Sequence, residues 1–296
     1  MDVDYVIVGG GSAGSVMAAQ LSEDASTKVC LIEAGGEGKD LLVRLPLATV
    51  VMLPGYGKLH NYAYETVPQP GLNGRRGYQP RGRVLGGSSA LNAMIYVRGH
   101  PSDYDDWAAA GATGWGWADV LPYFLKSEGN QAVGGDLHSS EGPLQVNHQR
   151  APRPIARAFL EAAAECQVPA NDDFNGPDQE GTGLYHVTQF GEGPRNGERC
   201  SAAAAYLHPA MDRPNLKVIT KARVEKVVLS EGRAVGVRYK GRGDVQDVRA
   251  AREVILCGGA FNSPQLLMLS GIGPGAELPR HGIGVALDAP KVGQNL

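Results

Sequence analysis

Residues Tyr5–Ser15, which read YVIVGGGSAGS, contain two overlapping motifs that imply different chemistry. Gly9-x-Gly11-x-x-Gly14 is the spacing of the loop that receives a dinucleotide pyrophosphate. Gly10-x-Ser12-x-Gly14 is the spacing of the nucleophile elbow of a serine hydrolase. A tight turn with no ligand is the third interpretation, so the flanking sequence has to decide.

The flanking sequence predicts a β-strand, a tight turn, an α-helix and a second β-strand. Asp4–Val8 is a short apolar run, Ser12–Leu21 has apolar and small residues at helical spacing, and Lys28–Glu33 is an apolar run that ends in an acid. Such a βαβ unit is right-handed by default. Glu33 lies 33 − 14 = 19 residues after Gly14, close to the spacing of about 20 at which a dinucleotide site has its acid.

The residues of the dinucleotide motif have separate physical roles. Gly9 allows the turn, Gly11 lets the backbone approach the diphosphate, and Gly14 lets helix and strand pack closely. The helix N-terminus presents unpaired N–H groups and a partial positive charge to the anion. Glu33 can accept hydrogen bonds from the adenosine ribose. Because Ala34 and two glycines follow Glu33, no basic residue there meets a 2′-phosphate, which disfavours NADP.

The hydrolase interpretation requires a different context. A nucleophile elbow follows several strands of a sheet and precedes an acid and then a histidine in the chain. Ser12 instead follows the first strand. We therefore favour the dinucleotide site, and the serine hydrolase is the remote alternative.

Composition limits the class of protein. With 43% hydrophobic and 20% charged residues over 296 positions, the chain can form one large or two ordinary globular domains. A net charge of −3 offers no basic surface, so we expect no nucleic-acid partner. With no secretory signal and no membrane-spanning run, we expect a cytoplasmic protein, and peripheral membrane attachment stays open. The cysteines form no paired motif and indicate free thiols without a metal site: Cys30, Cys166, Cys200 and Cys257.

Two further glycine-rich segments narrow the choice of cofactor. Pro80–Gly99 contains two adjacent glycines and two serines whose amides and hydroxyls can contact a flat or anionic group, although alone it reads equally well as a loop leading into the core. Val254–Pro264 is an apolar strand that runs into Gly258 and then a helix, with Pro264 just inside it. Three strand-to-glycine junctions suggest that one extended ligand crosses the sheet edge. FAD is longer than NAD and would use such a site.

These segments resemble the two signatures of the glucose-methanol-choline (GMC) flavin oxidoreductases. Gly82–Asn92 resembles the first signature and Gly259–Gly273 the second, so that with the N-terminal motif the resemblance covers the whole chain. Asn92–His100 is most similar to the bacterial choline and alcohol dehydrogenase branch. The resemblance implies FAD-dependent oxidation of a primary alcohol, in which a base takes the hydroxyl proton while hydride passes to flavin N5.

The resemblance also implies how FAD is held. In some members a histidine just before Asn92 binds the flavin covalently, but this position is Leu91, which implies non-covalent FAD. The implied cofactor residues form the diphosphate loop, the ribose acid, the segment along the diphosphate and flavin, and the adenine end. They are Gly9, Gly11, Ser12, Ala13, Gly14, Glu33, Ala34, Arg83, Gly86, Gly87, Ser88, Asn92, Ala93, Met94, Val224, Gly258 and Ala260.

The resemblance places no catalytic residue in this chain. Relatives continue well beyond Leu296, and their second half carries the catalytic histidine. Of the seven histidines here, only His100, beside the flavin segment, is a candidate base. We expect either the FAD-binding half of an alcohol dehydrogenase or oxidase, whose partner is the missing C-terminal half, or an FAD-binding module without turnover.

The predicted fold is α/β, with a Rossmann-like FAD-binding domain and the start of a substrate-binding domain, the C-terminal half of the family fold being absent. We expect residues 1–150 and 196–296 in the first domain and 151–195 in the second. Residues 40–80 are predicted to form an excursion over the cofactor. Helices are predicted at Asp119–Lys126 and Pro154–Cys166, and a small antiparallel sheet at 217–220, 222–229 and 234–239 beside the parallel sheet.

Overall fold

The computed structural model describes residues 1–296, the side chain of Tyr56 apart. Its strands are β1 (Asp2–Val8), β2 (Val29–Ile32), β3 (Tyr64–Glu65), β4 (Tyr78–Gln79), β5 (Glu128–Asn130), β6 (Leu144–Val146), β7 (Leu216–Ile219), β8 (Arg223–Ser230), β9 (Arg233–Lys240), β10 (Val245–Leu256), β11 (Ile272–Gly273) and β12 (Leu287–Asp288). Its α-helices are α1 (Ser12–Leu21), α2 (Leu41–Arg44), α3 (Thr49–Met52), α4 (Pro101–Ala109), α5 (Trp117–Ser127), α6 (Pro154–Glu165), α7 (His208–Ala210) and α8 (Gly259–Leu269).

The chain divides into two compact units. The first, called the sheet unit, comprises Met1–Val43, Leu47–Leu91 and Ser201–Leu296. The second unit comprises Arg44–Pro46 and Asn92–Cys200.

The sheet unit is built on one six-stranded mixed sheet in the order β7-β2-β1-β10-β9-β8. Strands β7, β2, β1 and β10 are parallel, and β9 and β8 continue the sheet in antiparallel fashion. Alternate residues of the central strands enter different cores: Val6 and Val8 join one hydrophobic cluster, while Ile7 joins the other. Both faces of β1 are therefore covered, which is why its sequence is a continuous apolar run.

The structure confirms the predicted βαβ unit and corrects the assignment of one strand. Residues 217–220 were predicted to belong to the antiparallel sheet, but β7 pairs in parallel with β2, from Val29 opposite Leu216 to Ile32 opposite Ile219. The antiparallel prediction is right for β8 and β9. Alternation of apolar and polar residues shows that one face of a strand is solvated, but not which neighbour the strand pairs with.

The segments around Pro264 and Gly86 also differ from the prediction. Helix α8 begins at Gly259, so that Pro264 lies inside the helix and not at its start. Gly87–Ala90 forms a short 3-10 turn preceded by an irregular segment, and not a strand-to-glycine junction.

The second unit contains the two helices that were predicted from amphipathic spacing, at Trp117–Ser127 and Pro154–Glu165. It also buries an ionic cluster. The Glu128 carboxylate is fully buried and accepts hydrogen bonds from Arg98 Nη2 at 2.8 Å and from Asn130 Nδ2 at 2.9 Å. The His138 ring lies between Glu128, at 3.2 Å, and Asp173, at 2.8 Å.

We expect Glu128→Gln to lower the free energy of unfolding by about 1–3 kcal/mol, because the buried Arg98 guanidinium then loses its charged acceptor. Urea denaturation followed by circular dichroism measures this change. Glu161→Gln on the exposed surface of α6 is the matched control and should change stability by less than about 0.5 kcal/mol. Equal effects of the two substitutions would contradict the prediction.

Candidate functional site

The glycine-rich loops of the sheet unit meet at the carboxyl ends of neighbouring parallel strands. Gly9 follows β1, and Gly258 follows β10, which pairs with β1. The segment around Gly87 packs across the first loop, because a Cβ atom on Gly87 would lie 2.7 Å from the Cα of Gly11. The Gly86 N–H donates to the carbonyl of Gly10 at 2.7 Å. Tertiary packing thus brings together segments about 75 and 250 residues apart, at the edge where α/β sheets bind ligands.

The three glycines of the motif differ in what surrounds them. A Cβ atom on Gly14 would lie 1.9 Å from the carbonyl oxygen of Gly9, so this position requires glycine for helix–strand packing. Gly9 has φ +97°, a left-handed conformation that glycine adopts readily. A Cβ atom on Gly11 would meet nothing in the protein closer than 3.8 Å. Of the three glycines, therefore, only Gly11 leaves room for a Cβ atom, and Gly11 lines the smaller cleft.

Two clefts run along this edge. The larger has a volume of 990 Å³ and the smaller 410 Å³, and they share Gly9, Glu33, Tyr62 and Gly258 among their lining residues. The larger cleft also contains the predicted residues Ala34, Arg83 and Val224, and the smaller contains Gly11, Ser12, Ala13, Gly87, Ser88 and Ala260.

The first N–H groups of α1 lie at the smaller cleft. Ser12 and Ala13 open this ten-residue helix and line the cleft. The first N–H groups of a helix have no acceptor within the helix and carry the positive end of its dipole. No acidic residue stands in the first turn to neutralise that charge. The helix N-terminus can therefore hold an anion in the smaller cleft.

Glu33 is 6% exposed and joins the two clefts. Its Oε2 accepts a hydrogen bond from the Gly10 N–H at 2.8 Å, and its Oε1 accepts one from the Gly35 N–H at 2.7 Å. Burial raises the pKa of the Glu33 carboxyl, while these two N–H groups and the Arg83 guanidinium oppose that rise. The acid is therefore fixed in place by the loop, and its remaining lone pairs can accept hydroxyl groups.

Cations reach the larger cleft from parts of the chain that are distant in sequence. Lys58, Arg83 and Arg223 all line it together with Glu33. The sequence argument against NADP considered only the residues that directly follow Glu33, whereas these three cations come from other parts of the chain.

The remaining predicted residues lie outside the lining of the clefts. Gly14 and Gly86 are buried and shape the loops. Asn92, Ala93 and Met94 belong to the second unit, where Asn92 Oδ1 accepts hydrogen bonds from the Met94 N–H at 3.0 Å and from Arg199 Nη1 at 2.8 Å. These bonds fix the backbone of the turn.

Among the described residues that line the cleft of Ser12 there is no histidine that could activate this serine as a nucleophile. His100, the one histidine considered as a base, is the N-cap of α4, and its Nδ1 accepts a hydrogen bond from the Ser102 N–H at 3.2 Å. Its ring thus has a structural role at a helix terminus.

Several cleft residues were not predicted from the sequence. Tyr62, Arg81, Phe261 and Asn262 line the smaller cleft, where the Arg81 guanidinium lies 4.3 Å from the Phe261 ring centre. Tyr62 belongs to the excursion at residues 40–80, which was predicted to cover the cofactor without individual residues being assigned. The alternation Tyr62-Ala63-Tyr64 was the signal available there.

The described residues 1–296 contain no group of three or more His, Cys, Asp or Glu side chains placed to hold a metal ion. None of their helices is long and apolar enough to cross a membrane.

Comparisons with known proteins agree with this geometry. A family model described as GMC oxidoreductase matches residues 3–296. The chain is 46% identical over 296 residues to the alcohol dehydrogenase (acceptor) of Pseudomonas putida, covering 99% of this chain and 52% of that protein. It is 45% identical over 296 residues to the oxygen-dependent choline dehydrogenase of Brucella anthropi, covering 100% of this chain and 52% of that protein.

Solved structures show the same similarity. Pyridoxine 4-oxidase from Mesorbium loti superposes with a TM-score of 0.90 at 38% identity, covering 98% of this chain and 56% of that one. A formate oxidase from Aspergillus oryzae, studied for modification of its FAD, superposes with a TM-score of 0.88 at 29% identity, covering 99% of this chain and 52% of that one. The chain spans about half the length of the curated relatives it matches. The chain belongs to the GMC oxidoreductase family.

Proposed function

We propose that this chain binds FAD without a covalent bond and is the cofactor-holding half of an enzyme that oxidises a primary alcohol to an aldehyde. The observation that carries the proposal is the open position of Gly11 at the N-terminus of α1, beside the Glu33 carboxylate. This cradle suits a diphosphate and its neighbouring ribose. Family membership supports a flavin in preference to a nicotinamide.

The proposed contacts follow the two clefts. N–H groups at the start of α1 would hold the diphosphate, the Gly87 and Gly258 segments would line the smaller cleft on either side of it, and Glu33 would accept the ribose hydroxyls. Arg83 belongs to the segment that would lie along the diphosphate and the flavin, while Ala34 and the backbone of Val224 would lie at the adenine end. When bound, FAD would accept the hydride that leaves the alcohol carbon. The part of this chain is to bind and orient the cofactor.

We place the base that takes the hydroxyl proton outside residues 1–296. The second half of the relatives would carry it, together with most of the substrate-binding domain. The domain bounds 1–150 and 196–296, and 151–195, are part of the same proposal. Choline and other small primary alcohols are the substrates suggested by the named relatives.

A second candidate is an FAD-binding module without turnover. The chain spans 52% of each curated relative, and this coverage fits either candidate. Both candidates require FAD, and they differ only in whether a second polypeptide restores alcohol oxidation. Mixing the FAD-loaded chain with the separately expressed second half of a relative distinguishes them.

We expect the purified chain, loaded with FAD, to show a flavin absorption spectrum and to release all its flavin on acid precipitation. Leu91, at the position of the linking histidine, is 2% exposed and has no nucleophilic atom. Absorbance of the supernatant and of the redissolved pellet measures the distribution. Flavin that remains with the pellet would contradict non-covalent binding, and absence of any flavin spectrum would contradict the cofactor.

We expect Glu33→Gln to weaken FAD binding by about 1–3 kcal/mol, because the ribose hydroxyls lose a charged acceptor. Glutamine retains the shape of the side chain and one acceptor oxygen, so that one of the two loop N–H groups loses its acceptor, whereas alanine would leave both buried N–H groups unpaired. Calorimetric titration with FAD measures the change. Glu23→Gln, in the exposed turn that follows α1, is the control, and an unchanged affinity of Glu33→Gln would place the adenosine end elsewhere.

A further inference from the structure

The segment 52–83, here called the strap, carries unusual backbone conformations beside the larger cleft. Lys58, His60 and Ala63 have φ values of 52°, 52° and 51°, in the left-handed region that residues with a Cβ atom rarely adopt. Each such residue is strained and persists only where surrounding contacts hold it. The strap therefore has to be fixed by specific bonds.

Asn61 provides most of these bonds. Its side chain is fully buried, and its Nδ2 donates to the carbonyl of Met52 at 2.9 Å and to the Tyr78 hydroxyl at 2.9 Å. Its Oδ1 accepts from the Ala63 N–H at 2.9 Å and from the Arg81 N–H at 3.0 Å. The Asn61 side chain thus forms hydrogen bonds with both ends of the strap.

Backbone and side-chain contacts complete the fixation on either side of Asn61. The Tyr62 N–H donates to the carbonyl of Arg81 at 2.8 Å, and the Arg83 N–H donates to the carbonyl of His60 at 2.7 Å. The His60 Nε2 lies 3.0 Å from Asp40 Oδ2. The backbone on both sides of Tyr62 is therefore held.

This fixation places the Tyr62 side chain where the two clefts meet, since Tyr62 lines both of them together with Glu33. Its ring stacks on Tyr64, with ring centres 5.0 Å apart and planes 11° from parallel. The Tyr64 hydroxyl in turn donates to Asn262 Oδ1 at 2.8 Å. Burial, with the nearby Glu33 carboxylate, raises the pKa of Tyr62 to about 12, so the phenol is neutral.

We propose that Tyr62 is a cofactor-binding residue that covers the adenosine-diphosphate half of the dinucleotide, and that Asn61 is the positioning residue that holds it there. The inference rests on the proposed FAD binding. The inference extends the proposed function because it assigns the strap, in addition to the glycine motif, a specific role in the affinity for FAD. A neutral aromatic ring over a ribose and diphosphate adds contact area without adding negative charge beside the anion.

The first test is Tyr62→Ala, titrated with FAD, ADP and FMN. We expect the Kd values for FAD and ADP to rise by about 3–10-fold, while the Kd for FMN changes by less than about twofold. Tyr123→Ala, an aromatic side chain that is 73% exposed in the second unit, is the matched control and should leave all three unchanged. Wild-type affinity of Tyr62→Ala for FAD and ADP would overturn this inference alone. A wild-type chain that binds neither FAD nor ADP would overturn the proposed function as well.

The second test is a double-mutant cycle with Asn61→Ala. If Asn61 acts through Tyr62, Asn61→Ala raises the Kd for FAD in the wild-type background but adds less than about twofold in the Tyr62→Ala background. A purely structural role would raise the Kd equally in both backgrounds and would overturn the assignment of Asn61. If Asn61→Ala does not fold, the Tyr62→Ala titrations still decide the role of Tyr62.

Discussion

Gly11→Val should abolish FAD binding while leaving the fold intact. The nearest protein atoms to a Cβ on Gly11 are 3.8 Å away, and its φ of −72° and ψ of −157° are accessible to valine. The added side chain therefore enters the smaller cleft, where it excludes the diphosphate. We expect the Kd for FAD to rise more than about 100-fold, or about 2.7 kcal/mol. Fluorescence titration measures affinity, and thermal unfolding without FAD measures stability.

Gly14→Ala and Ser12→Ala are the controls for this experiment. A Cβ on Gly14 would lie 1.9 Å from the Gly9 carbonyl oxygen, so Gly14→Ala should lose stability even without FAD. Ser12→Ala adds no atoms to the smaller cleft and should therefore change the Kd for FAD little. If Gly11→Val binds FAD like the wild type, the diphosphate does not lie at the start of α1. Covalent labelling of Ser12 by a fluorophosphonate would support the serine hydrolase interpretation instead.

The FAD-loaded chain of residues 1–296 should oxidise alcohols at least about 10²–10⁴-fold more slowly than a full-length relative. Hydride transfer from an alcohol requires that a group within hydrogen-bond reach take the hydroxyl proton, and that assistance is worth this factor. Among the described residues that line the two clefts there is no histidine. Anaerobic mixing with choline and a panel of primary alcohols, followed by flavin bleaching, measures the rate.

Two further proteins test whether the missing base explains the slow oxidation. Fusion of residues 1–296 to the second half of the Pseudomonas putida relative should restore bleaching, because that half would supply the base. His100→Asn tests the candidate base within this chain, because asparagine still caps α4 but has no imidazole. Rapid bleaching by residues 1–296 that is lost in His100→Asn would contradict the prediction and identify His100 as the base.

Local sequence patterns predicted the features of the fold that depend on near neighbours in the chain. Strand β1, helix α1 and strand β2 were predicted within two residues of their observed bounds, because apolar periodicity and glycine geometry depend on near neighbours. The role of Gly14 in helix–strand packing was also predicted, and the 1.9 Å approach to Gly9 gives its steric basis.

Features that depend on distant neighbours were not predicted. Strand β7 joins the parallel sheet beside β2, although its alternating pattern suited the antiparallel sheet equally well. Lys58 and Arg223 reach the cleft of Glu33 from segments 25 and 190 residues away, which changes the local charge that the sequence suggested. Strand pairing and local charge depend on through-space distance, and sequence separation does not report it.

By itself, the sequence determined the α/β class, the dinucleotide motif with its acid and the resemblance to a flavin oxidoreductase family, because each depends on residue types at short, fixed spacings. Only the tertiary structure showed that Asn61 and Tyr62 line the cleft of Glu33, and that Lys58 and Arg223 reach it as well. Both findings require the packing of segments that lie far apart in the chain. Steric exclusion and hydrogen bonding act over a few ångströms, so they become visible only when the chain is folded.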